Sequence, residues 1–319
     1  MSEPSAKSSF GTSAYGGEGW SPRQRPHAEE IGTLWSPCAV GSEWKRLEAV
    51  LLHPPGDELA ASADPTAAQM LAPLDLARAR AQHDALAAAY RAEDVAVHFV
   101  EPAGPPSPNQ MFCADLFFMT PGGAILARPA STVRAGEERW VARRLADLGV
   151  PILGTLQGRA LFEGADAMWL DDETVAIARG LRTNQAAIEQ IANLLAPMGV
   201  GLLPADLPFG TMHLMGMFRR PDRDLAICWP RRTPHALVMA LRERGVETVF
   251  LPAEDEAQAN RALNFVTLGP RRILMVAGNT QTQSFYERHG IECLTVPADE
   301  LAKAAGAVGC LTGILSRAR

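Results

Sequence analysis

Four short motifs, far apart in the chain, carry side chains from which a reaction could be built. "FCAD" ends in Asp115, "FEGAD" places Glu163 and Asp166 around Gly164, "TMHLMG" contains His213, and "AVGCLTG" contains Cys310. A thiol with an imidazole is the pairing of nucleophilic catalysis, with the histidine as general acid and base. Carboxylates near a thiol oppose its ionisation, because they repel the thiolate. The set therefore makes sense for a cationic ligand. A guanidinium fits, since its planar N–H fork matches carboxylates bidentately and its carbon is an electrophile for sulfur. Arg134 in "STVRAGE" and Arg182 in "GLRTNQ" could clamp a carboxylate at the other end of that ligand, which would then be a small arginine-like molecule.

Each residue also has a plain structural reading. Asp115 and Asp166 can cap loops, His213 can be a satisfied core histidine, Cys310 a small apolar residue, and the arginines surface ion pairs. Their equivalent places in a repeat weigh against that. Two strand-like runs joined by a turn, then an amphipathic helix, then one more strand recur along the chain. The first copy is "LFFMTPGGAILARP", "GEERWVARRLADLG" and "VPILGTL". The second is "AMWLDDETVAIARG", "NQAAIEQIANLLAPMG" and "VGLLP". The third is "HLMGMFRRPDRDLAICWP", "PHALVMALRERG" and "VETVFLP", and the fourth "LNFVTLGPRRILMVAG", "TQSFYERHG" and "IECLTVP". A fifth is split between the ends of the chain, with "LEAVLLHPP", "DLARARAQHDALAAAYRAED" and "VAVHFV" at the front and "GCLTGILSR" at the back.

A repeat of roughly fifty residues implies stacked or radial units. The pattern predicts a five-fold pseudosymmetric α/β propeller of ββαβ units. Pairing of the last strand with the first would close the ring and leave no sheet edge exposed. Helices would lie outside and the hairpin mouths would converge on an axial cleft. A conventional α/β sandwich is the alternative that the pattern leaves open.

The composition of the 319 residues, 47% apolar and 21% charged with a net charge of −6, is that of a globular protein. It disfavours nucleic acid and anionic membrane as partners and leaves a small molecule. Residues 1–30, rich in Ser, Gly and Pro, read as a flexible arm, either a free tail or one that docks on a neighbouring subunit, so a homo-oligomer stays open. Residues 31–319 read as a single catalytic domain. Five scattered cysteines without a C-x-x-C pair point away from a disulfide framework or structural zinc and toward a reducing compartment. With no long apolar run and no secretory h-region, the chain reads as cytoplasmic. The segment "GDELAASADPTAAQMLAPLD", 56–75, is either a loop closing over the cleft or a surface connection.

Taken together, "EWKRLEAVLLHPP", "FCAD", "FEGAD", "RGLRTNQ", "MHLMG" and "GCLTG" resemble, in order and spacing, the guanidine-modifying (pentein) superfamily across roughly residues 44–319. Its members include dimethylarginine dimethylaminohydrolases, arginine deiminases and amidinotransferases, and the chain looks most like the first. The resemblance implies the same propeller. It also implies Cys310 as nucleophile, His213 as general acid and base, and Glu163 as the acid that touches guanidinium and orients the histidine. Asp115 becomes the second guanidinium carboxylate, and Arg134 and Arg182 become the holders of the substrate carboxylate. Asn109, in "SPNQMF", stands where some members have an aspartate at the amino acid end of the substrate. Asp166 belongs to the same acidic pattern, at the substrate or in support. The implied reaction hydrolyses a C–N bond through a covalent thiouronium to a ureido product such as citrulline, with no cofactor and no metal.

Two positions depart from the family. Met215 stands where deiminases and amidinotransferases commonly carry an aspartate, which disfavours an ordinary deiminase and leaves room for N-alkyl groups. Ala114 replaces a residue that is often charged. Amidinotransferase, arginine deiminase or dihydrolase activity, and a non-catalytic binder on the same scaffold are the competing readings. The joint presence of Cys310 and His213 disfavours the last.

Overall fold

Each expected hairpin folds where a turn interrupts an apolar run. In a computed structural model, which describes residues 9–60 and 64–318, the chain enters through the helical turn α1 (His27–Glu30), then β1 (Leu47–Leu52), α2 (Leu76–Ala92) and β2 (Ala96–Phe99). The first complete unit is β3 (Phe117–Thr120), β4 (Gly123–Leu126), α3 (Glu138–Asp147) and β5 (Ile152–Thr155). The second is β6 (Ala167–Trp169), β7 (Thr174–Arg179), α4 (Gln185–Leu195) and β8 (Gly201–Asp206). The third is β9 (Phe218–Asp222), β10 (Leu225–Cys228), α5 (His235–Glu243) and β11 (Glu247–Phe250). After the short α6 (Asp255–Ala259) come β12 (Val266–Gly269), β13 (Arg272–Val276), α7 (Thr280–Arg288) and β14 (Glu292–Val296). The chain finishes with α8 (Val308–Leu311) and β15 (Gly313–Arg317).

Every unit makes its own three-stranded sheet, and the structure is the expected five-bladed α/β propeller. Within a blade the hairpin strands are antiparallel and the strand after the helix runs parallel to the middle one, as a helical crossover requires. The fifth blade is assembled from both ends: β15 pairs antiparallel with β1, placing Val50 opposite Ile314 and Leu51 opposite Gly313, and β2 pairs parallel on the other side. Closure thus joins the two ends of the chain but does not erase sheet edges. The five sheets remain separate, because the ring closes by blade packing and not by a continuous hydrogen-bond ladder. Inner-edge strands such as β3 and β6 are wholly buried, while outer-edge strands such as β5 and β11 are largely exposed or half-buried.

Buried arginines join the blades near the axis. Arg219 donates to the Phe265 carbonyl, Arg220 to the Leu170 carbonyl at 2.7 Å, and Arg317 to the Thr267 carbonyl at 2.8 Å, each crossing to another blade. These bonds satisfy backbone oxygens that would otherwise be buried without partners.

The helices form for local reasons. Asp75 caps α2 by accepting from the Arg78 N–H at 3.1 Å, and Asn184 caps α4 through the Ala187 N–H at 3.1 Å. On α2, Ala79, His83, Leu86, Ala87 and Tyr90 share the buried face, the spacing of an amphipathic helix. Tyr90 Oη hydrogen-bonds Thr312 Oγ1 at 2.8 Å, tying this helix to the chain's last turn.

Residues 1–8 of the expected arm lie outside the described residues. Its last part is seated on the body: Glu30 is buried, and a His27 ring nitrogen bonds the Gly122 carbonyl at 2.7 Å. Within the segment 56–75, residues 61–63 lie outside the described residues. The part after them is docked, with Met70 buried and the Leu71 N–H on the Lys303 carbonyl at 2.8 Å. All five cysteines are free, and among the described residues no helix is long and apolar enough to cross a membrane.

Replacing Tyr90 with Phe removes the bond to Thr312 and little volume. Urea denaturation should show a loss of about 1 kcal/mol in unfolding free energy. An unchanged midpoint would mean that α2 and the C-terminal turn are joined by apolar packing alone.

Candidate active site

The hairpin mouths carry the polar residues, and each sits on the helical turn that leads into an inner strand. Asp115 ends the turn before β3. Glu163 caps the turn that contains Asp166 and precedes β6, and His213 caps the turn before β9. Cys310 lies on α8, just before β15. The remaining blade fills the fifth equivalent place with Asn264, ahead of β12. The repeat predicts a residue there, in "RALNF", but an asparagine carries no catalytic signal of its own, so sequence reasoning passed over it.

Close backbone approach makes this convergence possible. A Cβ on Gly164 would lie 2.2 Å from the Phe117 carbonyl oxygen and 2.5 Å from that of Ala114. Only glycine lets the second blade's acidic turn press against the first blade's. Gly306, one turn before Cys310, does similar work: a Cβ there would meet the Phe112 ring at 2.3 Å.

Around the axis the carboxylates are buried and paired. His213 Nε2 bonds Glu163 Oε2 at 2.7 Å, and Nδ1 stands 3.8 Å from Asp115 Oδ1, which leaves Nδ1 available to a ligand. Burial works against charge on His213, but Asp115, the bond to Glu163 and the charges of Asp166 and Glu163 outweigh it, raising its pKa to about 9. At neutral pH the imidazole is protonated. Burial alone would raise Glu163, yet His213, Arg134 and Arg182 together hold it well below the usual carboxylate range.

Arg134 faces inward. Its Nη1 donates to Asp115 Oδ2 at 2.7 Å and to Glu163 Oε2 at 3.2 Å, while Nε donates to Glu137 Oε2 at 2.9 Å. The guanidinium expected to clamp a substrate carboxylate is instead held by the two acids expected to grip a substrate guanidinium. Glu137, one turn beyond Arg134, is the partner that sequence reasoning missed. Arg182 is less buried and donates from Nη1 to Glu163 Oε1 at 3.2 Å. Asn109 Nδ2 donates to the Ala68 carbonyl at 2.8 Å, linking the docked part of 56–75 to the site.

Asp166 does not reach the cavity. It accepts from Thr183 Oγ1 at 2.7 Å and from the Leu214 N–H at 3.0 Å, and it is fully buried. Its place among substrate-binding residues is therefore corrected to a positioning one: with both oxygens taken, it holds the backbone next to His213. Burial, only partly offset by His213 and these hydrogen bonds, raises its pKa to about 6.

Cys310 is cradled by Asn264. The Gly309 and Cys310 N–H groups donate to Asn264 Oδ1 at 2.7 and 3.2 Å, which turns Nδ2 toward Cys310 Sγ at 3.0 Å. Burial, then Asp115, push the thiol's pKa up, and the Asn264 donor and Arg261 offset them only in part. These effects favour the neutral thiol at rest. Cys310 and His213 line two cavities: a slot of about 20 Å³ shared with Asp115, Arg134, Arg182 and Asn109, and a chamber of about 290 Å³ on the other side. Met215, at the position that departs from the family, lines the chamber.

Asp115, Glu163 and His213 present ligand atoms within 4.8 Å of one another, a spacing that a metal ion could use. Arg134 Nη1 already lies between both carboxylates, however, so the donor set fits a nitrogen cation as it stands.

The chain is similar to known proteins along most of its length. Residues 65–202 match the family described as "N,N dimethylarginine dimethylhydrolase, eukaryotic", and residues 217–317 match "Arginine deiminase". The first stretch contains Asn109, Asp115, Arg134, Glu163, Asp166 and Arg182, the second Cys310, and His213 falls between them. Both family models are of the guanidine-modifying superfamily, and the two matched stretches follow one another along most of residues 65–317. The relatives that it resembles are of dimethylargininase and arginine deiminase type. An N(G),N(G)-dimethylarginine dimethylaminohydrolase of Streptomyces coelicolor is 28% identical over 206 residues, 64% of this chain and 74% of the relative. A dimethylarginine dimethylaminohydrolase of Pseudomonas aeruginosa, solved with citrulline, superposes with a TM-score of 0.70 at 20% identity, covering 84% of this chain and 98% of the other. The N-terminal domain of ArgZ, an arginine dihydrolase of cyanobacteria, superposes with a TM-score of 0.73 at 20% identity, covering 84% and 97%.

The state of the thiol gives a direct test. Alkylation of Cys310 by neutral iodoacetamide, followed by peptide mass spectrometry, should be slow at pH 7 and rise about tenfold per pH unit to beyond pH 9. A plateau below pH 8 would show that the thiolate already exists in the free protein.

Proposed function

We propose that the protein is a cysteine-dependent amidine hydrolase that cleaves a C–N bond in a linear, arginine-like guanidine, such as a dimethylated arginine, to give citrulline and an amine. One observation carries the reading: Asp115 and Glu163 already hold a guanidinium nitrogen between them, beside His213 and in a slot lined by Cys310. Arg134 occupies the slot in the free state, and a substrate guanidinium of the same shape and charge replaces it. The displaced Arg134, with Arg182, then faces the substrate carboxylate, and Asn109 faces its amino acid end.

Charge dictates the order of events. In the free protein Arg134, Arg182 and protonated His213 face Asp115, Glu137 and Glu163, with Asp166 also acting on the histidine. A bound guanidinium adds one positive charge next to the thiol and so favours ionisation of Cys310, whose proton passes to solvent. The thiolate attacks the guanidinium carbon, forming the S–C bond. His213, protonated at neutral pH, gives its proton to the departing amine as the C–N bond breaks. The now neutral imidazole takes a proton from water, which attacks the thiouronium, and the C–S bond breaks to release the ureido product. Activity should fall as pH rises through about 9, where His213 loses the proton that it donates.

Cys310→Ser should bind guanidines and abolish turnover, with no thiouronium adduct by intact-protein mass spectrometry after arginine, methylated arginines or agmatine. Wild-type-like turnover in this variant would exclude the mechanism. Glu163→Gln removes one guanidinium contact and the partner of His213, so kcat/KM should drop at least about a hundredfold. A change in thermal stability with unchanged kinetics would make Glu163 structural only.

A further inference from the structure

The chamber beyond Cys310 is built differently from the slot. It shares Met212, His213, Ala305 and Cys310 with the slot, but no acidic residue lines it. Its charged walls are Arg232 and Arg261, together with the protonated His213. Among the described residues neither arginine makes an ion pair with a carboxylate. Arg232 lies over the Trp229 ring at 4.7 Å, and Arg261 Nη1 donates to the Gln258 carbonyl at 3.1 Å while its buried Nε has no partner. Glu254 is close enough to feel Arg232, but its two oxygens accept from Trp229 Nε1, at 2.7 Å, and from Arg231.

Arg261 is also placed at some cost. It adopts φ +56°, a left-handed backbone that non-glycine residues rarely take. The turn is closed by the Asn264 N–H on the Arg261 carbonyl at 2.8 Å, so the same turn presents Arg261 to the chamber and the Asn264 amide to the Cys310 sulfur. Ala305, which lines both cavities, is likewise left-handed at φ +72°.

We propose that this chamber is a subsite for the amine side of the guanidine, and that the amine it takes carries a carboxylate. The inference rests on the hydrolase reading above and narrows its substrate class. The slot is filled by the guanidinium and its acids, so the chamber is the space next to both His213 and Cys310 where an amine can depart. A bare ammonium or alkylammonium is repelled by Arg232 and Arg261, whereas a zwitterionic amino acid is not. The carboxylate meets the arginines, and the three chamber methionines, Met212, Met215 and Met217, suit a short apolar spacer. By microscopic reversibility an entering amine uses the same place. Its nitrogen forms the new C–N bond to the thiouronium carbon, its proton passes to His213, and the C–S bond breaks.

The test compares Nω-(2-carboxyethyl)-L-arginine with its neutral counterpart Nω-propyl-L-arginine on the full chain, following citrulline with β-alanine or propylamine. Wild type should favour the carboxylate by at least about tenfold in kcat/KM, and in Arg261→Met or Arg232→Met the ratio should shrink toward about twofold. Equal turnover of both compounds by wild type overturns the subsite while leaving the hydrolase reading intact, and needs no variant to fold. If neither compound nor any simpler guanidine yields citrulline or a Cys310 adduct, the hydrolase reading fails and the subsite with it.

Discussion

Two carboxylates buried side by side cannot both stay ionised without a cation between them, and the rest of the site answers to that constraint. Asp115 and Glu163 come from neighbouring blades and are almost wholly removed from water. Arg134, Arg182 and His213 are each placed to meet them. The same acids favour the charged form of the imidazole, while burial, and after it Asp115, favour the neutral form of the Cys310 thiol. Under the proposed mechanism reactivity is thus conditional: the nucleophile ionises readily only when a further cation arrives, and the cation that arrives is the group to be attacked.

The propeller makes this arrangement by repetition. One turn before each inner strand points at the axis, and the five turns bring an aspartate, a glutamate, a histidine, an asparagine and a cysteine to one place. No two of them are close in sequence, so local flexibility in one blade does not move the set together. Interblade bonds from buried arginines to backbone carbonyls fix the angular relation of the blades. Fixed angles matter because the Glu163 to His213 bond crosses from one blade to the next.

Much of this was legible in the sequence. The repeated strand, strand, helix, strand pattern located all five blades, including the one divided between the chain ends, because each element has its own period and its own turn residues. Cys310, His213, Glu163 and Asp115 were legible through their common position in the repeat. What was not legible depends on orientation. Nothing local says that Arg134 turns inward to three acids, since Glu137 looks like an ordinary first-turn helix residue. Asp166 reads like a site acid until Thr183 and the Leu214 N–H are seen on its oxygens. Asn264 was hidden by its chemistry, because its role exists only through contacts with a turn forty-five residues away. The expectation of edge-free closure failed for another reason: a ring of blades can close by packing while every sheet stays open.

The pairing of β15 with β1 also orders events in time. A growing chain leaves the ribosome N-terminus first, so the carboxylates, the histidine and the asparagine are synthesised before the strand that completes the fifth blade. The thiol reaches the axis only when that strand finds β1, across nearly the whole length of the chain. Until then the chain holds the carboxylates without the thiol, and under the proposed function a partly made chain is chemically silent toward the guanidines of its surroundings.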